Sequence, residues 1–337
     1  MINMNEISEK FNLLFNKIKT AQNILIAAHV HPDVDAISSL GAMIEILKSL
    51  DKNFLAFANQ KEDLSMYYLP HEELICGSLS IDFNFSEFDL IIILDCGSLG
   101  RSGLENFIKN RQANQFVIEI DHHPKVDDYA DLEIRDANLS STTELIFNFV
   151  KKQKIKISKN LANSLMSGIL CDTGNFAYSS ASDSSVKVVA DLVAHGAQFP
   201  KMMRNFSQGR DINSLKIWGL ALGNLKINKK YNIGVSVLTK AEILQITGAT
   251  SLAEINNEIF SEIVAFLSAL ADVKMVFLMR EEDHNILKVN LRTSNNEINL
   301  AKLAQIFGGG GHVKASGFLV NGEIKKNNNG WEFDFVN

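Results

Sequence analysis

Along residues 1–185 the apolar positions switch repeatedly between two periods. Ile7, Phe11, Leu14 and Ile18 recur every three or four residues, the spacing of one helix face. NILIAA from Asn23 then reads as a strand, AISSLGAMIEILKSL from Ala36 as a helix, and NFLAFA from Asn53 as a strand again. LIIIL from Leu90 and QFVIEI from Gln115 are apolar at consecutive positions, as strands covered on both faces are. This alternation predicts an α/β fold with a mainly parallel sheet flanked by helices on both sides.

The pattern then changes. Residues 186–229, which include the end of SSVKVVADLVAHG and then INSLKIWGLALGNLKI, carry helical spacing without a strong strand signal and read as a helical linker. Over residues 230–337, YNIGVSVL, VKMVFLMREE and ILKVNLRTS read as strands, and EILQIT, SEIVAFLSAL and NLAKLAQIF as helices. That makes a smaller mixed α/β domain, in which KKNNNG is a turn between terminal strands. A chain of 337 residues is long enough for about two domains.

Composition narrows the classes. A hydrophobic fraction of 46% with four prolines fits a compact globular chain. The start MINMNEISEK has no basic stretch leading into an apolar core, and the aliphatic run LIIIL is far short of the ~20 residues of a membrane span, so the expectation is a soluble, cytoplasmic protein. Three scattered cysteines, Cys76, Cys96 and Cys171, cannot all pair and form no CxxC, which suits a reducing compartment. A net charge of −6 argues against coating long nucleic acid and leaves short oligonucleotides open. From Ile286 to the end, six Lys or Arg face four acids, giving a local excess of positive charge.

The chemistry sits just beyond the apolar runs. His29, His31, Asp33 and Asp35 follow ILIAA, Asp95 follows LIIIL, Asp121, His122 and His123 follow FVIEI, and Asp172 follows LMSGILC. The carboxyl ends of strands in an open α/β sheet share one crevice, so these residues can converge. Five carboxylates in one crevice repel one another unless cations neutralise them. Carboxylate and imidazole donors without thiolate suit Mn²⁺ or Mg²⁺, and two such ions form the clamp used for displacement at phosphorus. Singly, each motif has a bland reading: PDVD as a turn whose Asp caps a helix, DTG as an Asp-anchored turn. The ordered set is what argues against coincidence.

The glycine run Gly308, Gly309, Gly310 and Gly311, with His312 adjoining, is a second signal. Consecutive N–H groups followed by a helix start would make an anion nest, and Arg292 and Lys314 lie nearby in sequence. The expectation is recognition of a terminal phosphate or nucleotide, with a hinge as the bland alternative.

HVHPDVDA, LDCGSLGR, DHH, CDTGNF and FGGGGHVKASG, in that order, resemble the DHH phosphoesterases with a C-terminal DHHA1 domain, and within them the bacterial nanoRNase and phosphoadenosine-phosphate phosphatase group. The resemblance implies a DHH catalytic domain over 1–185, the linker, and a DHHA1 substrate-binding domain over 230–337. It implies two divalent ions, Mn²⁺ ahead of Mg²⁺. His29, Asp33 and Asp95 would hold one, and Asp35, Asp95, His122 and Asp172 the other, with Asp95 bridging. His123 would face the scissile phosphate, Asp121 would orient the histidines from behind, and Arg101 would meet substrate phosphate. Arg292, Gly308 to Gly311, His312 and Lys314 would bind the far end of the substrate.

Three positions depart from the pattern or fall in a variable slot. His31 reads as a solvent-facing loop residue rather than a ligand. Val34 stands where the family often has Gly, and would be strained if that turn needed a positive φ. Asn175 replaces a frequent Arg. SSTTEL, from Ser140, matches the family and equally well a helix N-terminus.

The implied activity is hydrolysis of short RNA oligonucleotides to 5′-mononucleotides, with removal of the 3′-phosphate of 3′-phosphoadenosine-5′-phosphate as a companion. The linear dinucleotide pApA or a cyclic dinucleotide is the alternative substrate, and a non-catalytic nucleotide-binding module the alternative class. The expected partners are short oligonucleotides or small nucleotides, not long nucleic acid or membrane. A homodimer is compatible with this reading.

Overall fold

The computed structural model describes residues 4–60, 69–178, 180–208, 211–255, 257–271, 273–282, 285–295, 297–311, 313–327 and 330–335. The chain divides into two compact units, Met1–Gly209 and Arg210–Asn337.

In the first unit the elements run α1 (Met4–Thr20), β1 (Asn23–Ala28), α2 (Val34–Ser49), β2 (Asn53–Phe57), β3 (Ile75–Cys76), β4 (Leu90–Leu94), α3 (Glu105–Lys109), β5 (Phe116–Asp121), β6 (Leu132–Arg135), α4 (Thr142–Lys152), α5 (Lys159–Asp172), α6 (Asp183–Ala194) and α7 (Phe199–Gln208). Six parallel strands form one sheet in the order β3-β2-β1-β4-β5-β6. Successive residues of β1 go to opposite layers, as the pleat requires. Ile24, Ile26 and Ala28 join the core built with α1, α2, α4 and α5, while Leu25 and Ala27 pack with Ile91, Ile93, Leu104 and Ile108 on the other side. The expected sheet, apolar on both faces, is therefore the one observed.

The strand order reverses between β1 and β4. Chain leaving β1 turns one way through α2 to β2, and chain leaving β4 turns the other way to β5, so the connections part and open a crevice at the carboxyl ends. α2 and α5 cross very closely there. A methyl added to Gly41 of α2 would lie 3.0 Å from Ser164 Oγ of α5, and one added to Gly168 of α5 would lie 2.2 Å from Asp35 Oδ1 and 2.4 Å from Thr143 Oγ1.

The second unit runs α8 (Ile212–Gly223), β7 (Lys226–Asn228), β8 (Ile233–Leu238), α9 (Lys240–Thr247), α10 (Glu258–Leu267), β9 (Met275–Glu281), β10 (Ile286–Arg292), α11 (Leu300–Ile306), β11 (Gly310–Gly311), β12 (Ala315–Asn327) and β13 (Gly330–Phe335). Its sheet has the order β11-β12-β10-β9-β8-β7, with β13 on β12, and is mixed: β8 and β9 run parallel, the other pairs antiparallel. Val276 and Leu278 of β9 pack with α8 and α10, whereas Val289 and Leu291 of β10 pack with Leu300 and Ala304 of α11. Within 186–229, α6 and α7 lend Val188, Leu192 and Met202 to the first core, and α8 lends Ile217 and Ala221 to the second. No helix among the described residues is long and apolar enough to cross a membrane.

Candidate functional site

β1 delivers His29 and the turn after it delivers Asp33. His29 is buried, and its Nδ1 lies 3.0 Å from the Val30 carbonyl oxygen, where Nδ1–H donates and leaves the Nε2 lone pair facing inward. That Nε2 is buried and has no hydrogen-bond partner among the described residues. It faces Asp33 Oδ2 at 3.7 Å and Asp95 Oδ2 at 4.0 Å. These separations are too long for hydrogen bonds and suit atoms that each approach a shared cation at about 2.0–2.2 Å. Asp33 divides its oxygens between the bland role and the chemical one, because its Oδ1 caps α2 by accepting from Ala36 N at 3.0 Å.

A second group forms beside the first. Asp35, in the first turn of α2, His122 after β5, and Asp172, the last residue of α5, bring ligand atoms within 4.8 Å of one another. His122 Nε2 lies 3.3 Å from Asp172 Oδ2 and 3.6 Å from Asp95 Oδ1. Asp95 thus stands between the groups, with one oxygen toward each. Its φ of +58° is a left-handed conformation that Asp tolerates better than most residues, stored here where β4 ends. A carboxylate ending a helix, as Asp172 does, opposes the helix dipole and gains from a nearby cation.

Charge describes the same need. Burial first, then the charges of Asp35, Asp33, Asp121 and Asp172, push Asp95 well above the usual carboxylate range. Burial raises Asp35 to about 6, with the Asp33 charge adding to it and the Thr143 and Thr142 hydrogen bonds opposing. Burial and then the His123 charge lower His122 to about 4. Asp35 and Asp95, driven toward the neutral form, stand beside His122, also driven toward the neutral form, so their lone pairs lack countercharge. This donor set fits hard divalent cations.

His123 is built differently. Its Nδ1 lies 2.7 Å from Asp121 Oδ1, and its backbone N–H donates to that same oxygen at 2.7 Å. Asp121 is fully buried and takes a further bond from Gly97 N at 2.5 Å. Burial pushes Asp121 upward, but the His123 hydrogen bonds and charge, with Arg135, outweigh it and bring it to about 2. Arg101, exposed in the 3-10 turn Leu99–Ser102, lies over the same glycine as His123. A methyl on Gly97 would meet Arg101 Nη1 at 3.4 Å and His123 Cγ at 3.6 Å.

The residues weighed as departures find plain explanations. His31 is exposed and itself takes the positive φ of 52°, so Val34 begins α2 without strain and is buried. Asn175, at φ +56°, helps to end α5, its N–H donating to the Leu170 carbonyl at 2.7 Å. SSTTEL serves both readings. Ser141 caps α4 by accepting from Glu144 N at 3.1 Å, and the two threonines turn inward. Thr142 N donates to Asp35 Oδ2 at 2.7 Å, Thr143 Oγ1 to Asp35 Oδ1 at 2.6 Å, and Thr142 Oγ1 to Asp95 Oδ1 at 2.8 Å. Sequence reasoning left these threonines without a role, although the motif containing them was visible.

In the second unit Arg292 closes β10. The glycine run departs from expectation, since it follows helix α11 and is succeeded by strand β12, not by a helix start. Gly308 has φ +73°, and Gly310 and Gly311 pair with Gly317 and Ser316. A methyl on Gly309 would lie 2.2 Å from the Gly317 carbonyl oxygen, so close strand packing alone requires part of the run. Lys314 donates to the Asn295 carbonyl. His312 lies outside the described residues.

The model of the DHH family, N-terminal domain, matches residues 23–169, and that of the DHHA1 domain matches residues 245–328. The chain belongs to the DHH family, with a DHHA1 domain following. Among curated relatives, the bifunctional oligoribonuclease and PAP phosphatase NrnA of Bacillus subtilis is 26% identical over 91% of this chain and 92% of its own length. The protein of the same name from Thermus thermophilus is 26% identical over 93% and 89%. A crystal structure of an exopolyphosphatase-related protein from Bacteroides fragilis aligns with a TM-score of 0.80 at 26% identity, covering 92% of this chain and 90% of that one. Of the six residues that the resemblance assigns as cation ligands, His29, Asp33, Asp35, Asp95 and His122 lie within the DHH match, and Asp172 lies three residues past its end.

The crossing of α2 and α5 yields a test. Gly168→Ala forces its methyl into the Asp35–Thr143 hydrogen bond, so stability should fall by about 1–3 kcal/mol and Mn²⁺ affinity should fall with it. Thermal denaturation and titration calorimetry measure the two. Unchanged metal affinity would mean that α5 yields and that the close approach does not hold Asp35.

Proposed function

We propose that this DHH-family protein is a metal-dependent phosphodiesterase that hydrolyses short RNA oligonucleotides to 5′-mononucleotides and also removes the 3′-phosphate of 3′-phosphoadenosine-5′-phosphate. The observation that carries the reading is the set of three overlapping carboxylate–imidazole groups around Asp95 and His122. The names of the NrnA relatives support the substrate class.

His29, Asp33 and Asp95 would hold one divalent ion and Asp35, Asp95, His122 and Asp172 a second, with Mn²⁺ preferred. Bound there, the ions supply Lewis-acid charge to phosphoryl oxygens and lower the pKa of water to make a nucleophile. Thr142 and Thr143 fix the rotamers of Asp95 and Asp35, so little reorganisation is needed on loading. Asp121 takes the Nδ1–H of His123, which aims Nε2 outward to donate to the scissile phosphate or protonate the leaving oxygen. Arg101 neutralises substrate phosphate beside it. The second unit grips the far end of the substrate through Arg292, the Gly308–Gly311 backbone, His312 and Lys314.

A panel of a labelled RNA dinucleotide, pApA, 3′-phosphoadenosine-5′-phosphate, a cyclic dinucleotide and pyrophosphate, each with Mn²⁺, tests the reading. Mononucleotide release from RNA and 3′-dephosphorylation should lead. Turnover of pyrophosphate alone would overturn it, and tight binding with no product would make the chain a nucleotide-binding module. Division of labour has its own test. Arg292→Ala removes a planar, permanently charged donor whose hydrogen bond to phosphate is worth roughly 1.5–3 kcal/mol. Oligonucleotide affinity should fall about ten- to a hundredfold, while bis(p-nitrophenyl) phosphate is cleaved almost as before. Equal damage to both substrates would place Arg292 in support of the metal site.

A further inference from the structure

Behind His123 lies an arginine outside every motif named above. Arg135 ends β6, opposite Asp121 in the parallel register, and its side chain is only 10% exposed. Nε donates to Glu133 Oε1 at 2.6 Å and Nη1 to the His123 carbonyl oxygen at 2.5 Å, while Nη2 is buried and ion-paired with Glu119 Oε2 at 2.7 Å without hydrogen-bond geometry. Nη1 also lies 3.6 Å from Asp121 Oδ2. Glu119 is itself held by Tyr129, whose hydroxyl donates to Oε1 at 2.8 Å.

Balancing buried charge would not by itself need this geometry. A lysine could sit among Glu119, Asp121 and Glu133 as a point charge, but only a planar fork held on two sides by carboxylates presents a third N–H in a set direction. That third N–H goes to the backbone of His123. His123 is therefore held at three points, its ring at Nδ1 and its backbone N–H by Asp121, and its backbone carbonyl by Arg135, which sets where the ring is rooted.

Building on the reading that His123 meets the scissile phosphate, we propose that Arg135 is a positioning residue for that histidine, setting through its fork the direction in which the imidazole reaches the substrate. Its contacts are Glu119, Asp121, Glu133 and the His123 carbonyl, none of them a proposed ion ligand, so its effect passes through His123.

The test is a double-mutant cycle with Mn²⁺ and bis(p-nitrophenyl) phosphate, using Arg135→Lys, His123→Ala and the pair. Arg135→Lys should lower kcat about ten- to a hundredfold, as a small misplacement of a catalytic group does, with KM, bound Mn²⁺ and Tm close to wild type. In the His123→Ala background the same change should have no further effect. Glu133→Gln, which loosens one side of the fork and keeps the arginine, should show the same pattern at smaller size, and it serves if Arg135→Lys folds poorly. Equal loss of kcat in both backgrounds for either variant, or loss of Mn²⁺ along with kcat, would overturn the proposal in favour of a structural role. If His123→Ala keeps full kcat, the underlying reading of His123 fails first, an outcome distinct from additivity.

Discussion

Asp95→Ala is expected to abolish phosphodiester hydrolysis and to leave the protein unable to hold two Mn²⁺ ions together. Asp95 Oδ2 faces His29 and Asp33, and Asp95 Oδ1 faces His122. Two cations placed side by side repel, and a shared carboxylate is what offsets that repulsion. Losing it removes several kcal/mol of charge stabilisation, roughly a 10³-fold or greater drop in rate. Asp95→Asn separates charge from shape. Asparagine tolerates the left-handed backbone that Asp95 adopts and can still accept from Thr142 Oγ1, so the fold should persist while the second ion is lost. Metal counting by mass spectrometry under native conditions, alongside kcat, reads both quantities. Near-normal turnover with two ions bound to Asp95→Asn would remove Asp95 from the bridging role.

His123→Ala should lower kcat by about 10²–10⁴-fold, the range for a general acid or base, while bound Mn²⁺ stays near the wild-type level. The ring's Nδ1 lies 2.7 Å from Asp121 Oδ1 and 3.4 Å from Asp95 Oδ1, so Nε2 is the nitrogen left to act outward. His122→Ala should do the opposite to the metal, since His122 Nε2 faces both Asp95 and Asp172. The comparison of adjacent histidines is the sharpest available, because the two changes remove the same side chain one residue apart. Loss of one ion per chain from His123→Ala, with His122→Ala intact, would mean that the roles are exchanged.

What could be read along the chain was whatever obeys local periodicity. Strands covered on both faces must be apolar at consecutive positions, and a polar residue directly after such a run must emerge at the end of the sheet. That reasoning placed Asp33, Asp95, Asp121 and His122 near one crevice, and the parallel sheet confirms the arrangement of their strands. Helix capping was equally legible, in Asp33 and Ser141, because a cap satisfies N–H groups only two or three residues away.

Tertiary structure alone decided the rest, wherever a residue's partner is distant in the chain. Thr142 reaches Asp35 across 107 residues, and nothing in SSTTEL specifies which carboxylate lies over that helix end. Gly168 resembles any helix-interior glycine until α2 is laid against α5, when its missing methyl becomes the space that Asp35 and Thr143 occupy. The run at Gly308 suggested a loop leading into a helix, yet the carbonyls of β12 press on it and make it strand. Arg135 belongs to none of the motifs read along the chain. Folding brings Glu119, Asp121 and the His123 carbonyl around it, because parallel register sets β6 beside β5, and pairing between strands is a relation that no single stretch of sequence contains.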